Sequence, residues 1–178
     1  KEFRRVPQDL LCTATNGEVF LDNFGSFTHI RQLLLAYYPE DIRLRKIAYE
    51  LNQLAQSGQY NLPRMLQRDD TIAASLALHQ FVHHYMLLVH LFNKSYAPFY
   101  KWLYRHSCTL PILGNTVKHG IVELLDAPIT DTKSHIDRLC SAIIQELQRN
   151  GLSTSPIDFL TYQAKEVIQR IQDPLLRK

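Results

Sequence analysis

One stretch, Thr71–Phe92, limits what this chain can fold into more than any other. Its sequence, TIAASLALHQFVHHYMLLVHLF, carries Ala73, Ala74, Leu76, Leu78, Phe81, Val82, Met86, Leu87, Leu88, Val89 and Leu91 around almost the whole circumference of a helix. A helix that is apolar all round is buried by its neighbours. Asp69 or Asp70 is placed to cap its start and to put negative charge at the positive end of the macrodipole. His79, Gln80, His83, His84 and His90 within it weigh against a membrane span. The next segment, residues 93–105, crowds Tyr96, Phe99, Tyr100, Trp102 and Tyr104 among Lys94, Lys101 and Arg105. Pro98 breaks it, because the residue before a proline is pushed out of helical geometry. The pattern is a buried scaffold helix followed by a contact surface.

At 178 residues, with 46% hydrophobic and 21% charged residues, the chain suits one soluble domain with a sizeable core. A net charge of +3 permits a local anion site and weighs against a dedicated nucleic-acid binder. Cys12, Cys108 and Cys140 are far apart and odd in number, so neither a disulfide framework nor a zinc site is implied. A reducing cytoplasm is the expected location. There is no signal-peptide pattern near Lys1, and the opening KEFRRVP reads as that of a fragment.

The remaining chain reads as helices. Residues 1–25 form an irregular N-terminal arm, with a single helical turn around Leu10 and Leu11 and a short extended piece at residues 18–21. Residues 26–178 form the bundle. Ser26 caps a helix to about Tyr37, with Phe27, Ile30, Leu33, Leu34 and Tyr37 on its inner face. Pro39 opens a second helix, to about Gln56, burying Ile42, Leu44, Ile47, Leu51 and Leu54, with Arg43, Arg45, Lys46 and Glu50 mostly elsewhere. Ser57-Gly58 weakens it, and a polar-aromatic run to Arg64 marks a kink or helix junction. Later helices start at Pro111, at Thr132 behind a Thr130 or Asp131 cap, and at Ser155-Pro156; Gly151 stops the second of these. The predicted fold is an all-α bundle of six or seven helices.

No catalytic motif is present: there is no GxSxG, no phosphate-cradling glycine loop and no HExxH. His79 and His83 share a helical face, but no third ligand stands at a diagnostic spacing, so no metal is expected. Two runs have ligand-binding chemistry. Gln56, Gln59, Tyr60, Asn61 and Arg64 stand at the helix break, and Asn93, Tyr96, Tyr100, Lys101, Trp102 and Arg105 follow the central helix. Aromatic faces stack on planar ligands and cations hold anions. The alternative for both runs is packing and capping.

The run YYPEDIRLRKIAYELNQLAQSGQYNLPRMLQRDD, followed by FNKSYAPFYKWLYR and preceded by NGEVFLDNFGSFTHIRQLLL, resembles a bacterial domain of unknown function found C-terminal to a nucleotidyltransferase-like domain. The resemblance covers about residues 16–105. It implies a partner N-terminal domain that holds Mg and the nucleotide triphosphate on a Gly-Ser and paired-aspartate motif. Here Gly25-Ser26 leads into Phe27-Thr28-His29, so that half is not in this chain, which on its own is not expected to transfer nucleotides. In antibiotic nucleotidyltransferases, to which this layout is similar, a helical domain helps recognise the acceptor. The resemblance thus implies that Arg43 and Lys46, with the two runs above, meet a small-molecule acceptor. If the runs converge, Tyr60, Arg64, Tyr96, Lys101 and Trp102 form one wall. The competing readings are a non-enzymatic interaction or dimerisation module, in which the same surface meets a partner protein or a second copy in a homo-oligomer, and a helical enzyme with a metal on His79 and His83.

Overall fold

Two antiparallel neighbours frame the molecule: α3 (Glu40–Leu54) and α5 (Thr71–Phe92). The structure, a computed structural model, describes residues 5–177; these are helices and loops with no strand. Residues 1–4 of the arm and Lys178 of the bundle lie outside the described residues. α3 buries Ile42, Leu44, Ile47, Leu51 and Leu54, the stripe its periodicity predicts, against α5 on one side and α10 (Leu160–Gln169) on the other. Asp70 caps α5, its carboxylate accepting from the Ala73 amide at 2.9 Å.

Two expectations for this frame need correction. α5 is not buried all round: Ile72 and Leu76 are 74% and 66% exposed, and Leu87 is half-buried. α4 (Leu62–Leu66) and the segment before it pack against α5 but leave Ile72 and Leu76 in solvent. Arg43 and Glu50 are buried rather than outside, because each has a polar partner inside. At Ser57-Gly58 the chain makes a helix junction, one of the two expected outcomes. α3 continues through a π-helical segment, Ala55–Asn61, into α4. Gly58 permits this path: a Cβ there would lie 2.3 Å from Phe81 Cδ2 on α5.

In the arm, α1 (Gln8–Thr15) makes two turns and buries Leu11. Residues 18–21 form no strand. α2 (Ser26–Leu35) is not capped by Ser26; the Asp22 carboxylate accepts from the Thr28 amide at 2.8 Å, across a turn in which Gly25 has φ 68°. Its expected inner face is only partly turned inward: Leu34 packs against the core and Tyr37, just past the helix, is buried, but Phe27, Ile30 and Leu33 are exposed.

Past α5, residues 93–99 are irregular, and α6 (Tyr100–Ser107) packs against α5 with His106 meeting His90. Pro111 opens no helix. The side-chain amide of Asn93 holds Ile112, donating to its carbonyl and accepting from its amide, both at 2.9 Å. Helix therefore starts only with α7 (Gly114–Thr116), which continues through a second π-helical segment, Val117–Ile121, into α8 (Val122–Asp126). α9 (Lys133–Arg149) starts without a side-chain cap from Thr130 or Asp131 and ends at Gly151, φ 63°. Ser155-Pro156 lies in a loop rather than at a helix start. Gln163 donates from its amide to the carbonyls of Ser155 and Ile157, and Glu166 accepts from the Thr154 amide, so the backbone is satisfied without a helix until Leu160. α11 (Pro174–Arg177) is tied back to α3 by Asp41, which accepts from the amides of Gln172 and Asp173.

Candidate functional site

A cavity of about 390 Å³ opens where α1, α3, α5 and the segment leading into α6 meet. α3 supplies Lys46 and Glu50, one turn apart on one face, and α5 supplies His83 and Leu87 in the same relation. Gln8 and Asp9 come from α1, and Ala97, Pro98, Phe99 and Tyr100 form the opposite lip. α1 is held to that lip by the Gln8 side chain, which accepts from the Ala97 amide at 3.3 Å.

The electrostatics of the cavity follow from burial. Glu50 is almost wholly buried and its Oε2 lies 2.7 Å from His84 Nδ1, which donates to it. Burial pulls the Lys46 ammonium below its usual pKa, against the opposing pull of the Glu50 charge. Its Nζ lies 5.0 Å from the Tyr38 ring centroid. His83 is also pushed down, first by burial and then by neighbouring His84, with Glu50 acting against both. At neutral pH His83 is therefore a neutral imidazole that both donates and accepts. A carboxylate, an ammonium and an imidazole beside aromatic rims suit a small polar molecule with donors and acceptors of its own. Among the described residues, no three His, Cys, Asp or Glu side chains are grouped as a metal would require.

Of the residues expected to bind a ligand, this cavity gathers two, Lys46 and Tyr100. Arg43 bonds both carboxylate oxygens of Glu40, at 2.9 and 2.6 Å, and donates to the Leu91 carbonyl at the end of α5. Gln59 donates to the Asp158 carbonyl at 2.9 Å and accepts from the Leu160 amide at 2.8 Å, tying the π-helical segment to the start of α10. Asn93 holds Ile112 as above. Tyr96 is buried; its hydroxyl donates to the Leu34 carbonyl, and its ring packs on Tyr37 and Tyr38. Tyr60 and Arg64 pair with each other, the guanidinium 4.8 Å from the ring centroid and bonded to the hydroxyl. Gln56, Asn61, Lys101, Trp102 and Arg105 are exposed, with Lys101 Nζ 5.6 Å from the Trp102 ring. Gln59 lines a different cavity from Lys46 and Tyr100, and neither of these two cavities takes residues from both runs.

Residues 3–103 match the family described as a domain of unknown function, DUF4037. The chain belongs to that family. No curated protein and no solved structure matches it. Every residue lining the Lys46 cavity, from Gln8 to Tyr100, lies inside the DUF4037 span, whereas the cavity at Gln59 also draws on residues 132–159 beyond it. Sequence reasoning missed Gln8, Asp9 and Glu50, and it weighed His83 only as a metal ligand. The Lys46–Glu50 spacing was a usable signal, but nothing local tells that α1 folds back onto Ala97.

Proposed function

We propose that this chain is the acceptor-binding helical half of a two-domain nucleotidyltransferase-like protein of the bacterial cytoplasm. The observation that carries the reading is the Lys46–Glu50–His83 cavity, built wholly within the DUF4037 span. In this reading the acceptor sits against Lys46 and His83, with Tyr100 at the rim, and Mg and the nucleotide triphosphate are held by the N-terminal domain. The fixed His84–Glu50 pair keeps the floor of the cavity in one geometry while a ligand exchanges.

The test uses the full-length protein with Mg, labelled nucleotide triphosphates and the small-molecule fraction of a cell extract. Label moves into a small molecule, and Lys46→Met or His83→Gln lowers transfer by about tenfold or more, as loss of ~1.4 kcal/mol of binding gives, with the melting temperature unchanged. No transfer, or transfer at the wild-type rate in both variants, overturns the reading.

A second reading, a protein-interaction or dimerisation module, is favoured by α2, whose apolar face is exposed over several residues. In the first reading the same face seats the N-terminal domain. In the second it seats a partner protein or another copy, and Phe27→Ser abolishes that association in a chain that transfers no nucleotide.

A further inference from the structure

A second cavity, of about 410 Å³, lies between the first π-helical segment with α4, the first turns of α9 and the loop before α10. It shares no lining residue with the Lys46 cavity. Its interior is apolar, formed by Leu62, Pro63, Leu66, Ile136, Ile157 and Phe159. The polar side chains in its wall are already used by the protein. Gln59 holds Asp158 and Leu160 through its amide, and the Thr132 hydroxyl donates to the Ile129 carbonyl at 2.8 Å. An occupant therefore finds no buried donor or acceptor waiting for it, and its body must be apolar. By scale with the 150 Å³ cavity that holds benzene, it has room for roughly 15 non-hydrogen atoms.

The charges stand at the mouth. Lys133 and Asp137 are paired at 2.7 Å and cancel. Asp158, also lining the cavity, is exposed and its carboxylate has no partner among the described residues. The mouth is thus net negative by one charge. π-helical turns, of which Gly58 and Gln59 are part, recur at functional sites.

We propose that this cavity binds an amphiphilic organic cation, with an aromatic or alicyclic body among the apolar side chains and its ammonium at Asp158. The site is independent of the acceptor-binding reading and fails or holds without it.

Three probes of one shape decide the matter, each titrated into the chain by calorimetry: naphthylmethylammonium, naphthylmethanol and naphthylacetate. The ammonium binds best and the acetate worst. Asp158→Asn, which leaves the backbone carbonyl bonded by Gln59 in place, weakens the ammonium about three- to fivefold, the effect of one exposed charge pair, and leaves the alcohol unchanged. Ile157→Trp, at a half-exposed position, fills the cavity and removes binding of the ammonium and the alcohol; if it fails to fold, Leu66→Trp serves the same purpose. The proposal is overturned by no ammonium binding up to about 5 mM, by acetate binding as well as ammonium, or by full affinity in a folded, cavity-filled variant.

Discussion

α2 and α3 are consecutive helices with similar apolar spacing, yet they end in opposite surroundings. α3 buries eight of its fifteen residues and α2 none of its ten. Periodicity determines which face of a helix is apolar; it does not supply the surface that covers that face. For α3 the cover comes from α5 and from α10, which arrives more than a hundred residues later in the chain. For α2 the cover is partial: α1 packs on it and Leu34 reaches the core, while Phe27, Ile30 and Leu33 stay exposed. The arm is held instead by a few specific contacts: Leu11 in the core, Tyr96 on the Leu34 carbonyl, and Arg31 donating to the carbonyls of Thr15 and Gly17.

The sharpest way to break this comparison is a matched pair of truncations. Leu88 on α5 is wholly buried, and Leu88→Ala should cost about 2–5 kcal/mol of unfolding free energy from the lost contacts and the cavity left behind. Leu33 on α2 is 54% exposed, and Leu33→Ala should cost less than about 0.5 kcal/mol. Urea denaturation of both variants checks this, and equal losses would mean that α2 is packed as α3 is.

Acid tests the same core through a different group. His90 is fully buried on α5, its Nδ1–H donating to the Met86 carbonyl at 2.8 Å. A carbonyl only accepts, so in the neutral ring Nε2 accepts from His106 Nδ1–H, 2.9 Å away. Burial above all pulls the His90 pKa from 6.5 to about 4; the Met86 bond opposes this and the His106 charge adds to it. The unfolded chain therefore takes up a proton that the folded chain refuses between those values. Stability is complete above about pH 6.5 and falls as the pH drops towards 4, by on the order of 3 kcal/mol across the window. Urea midpoints at both ends of the window, for the wild type and for His90→Asn, read the difference. The wild type should lose more, and parallel losses would remove His90 as the cause.

A smaller effect sharpens the contrast at the π-helical segment. Gly58→Ala places a Cβ against the Phe81 ring, which is wholly buried and has little room to retreat, so a cost of roughly 1–3 kcal/mol is expected. Thermal melting measures it, and a variant as stable as the wild type would show that α3 and α5 can separate at that crossing without loss.

The all-helical class and the three long helices were legible because capping and spacing are local. Pro39 before Glu40, Asp70 before Thr71 and Gly151 after Asn150 stand where the chain turns. What was not legible depended on distant partners. Arg43 reads as a surface residue until Leu91 brings a carbonyl to it, and Ser155-Pro156 reads as a helix start until Gln163 and Glu166 satisfy that loop. The Lys46 cavity is of the same kind: Lys46 and Tyr100 were singled out from the sequence as ligand contacts, but the wall that Gln8 and Asp9 add depends on α1 folding back on Ala97.

The smallest expected effect on stability belongs to the face that distinguishes α2 most. Phe20 and Phe24 are 92% and 96% exposed, and with Phe27, Ile30 and Leu33 they present an apolar surface that water wets in the isolated chain. A Leu→Ser or Phe→Ser change in a core deletes buried contacts and buries a hydroxyl, which costs several kcal/mol. On a face already in water, neither term applies. Phe27→Ser with Leu33→Ser should therefore leave the unfolding free energy within about 0.5 kcal/mol of the wild type. It should also lower binding of a hydrophobic dye and any concentration-dependent association seen by sedimentation. Stability and association then separate, as they must if the face is a docking surface rather than part of the core. A loss of several kcal/mol in the double variant would place these side chains in the folded interior and erase the distinction between α2 and α3.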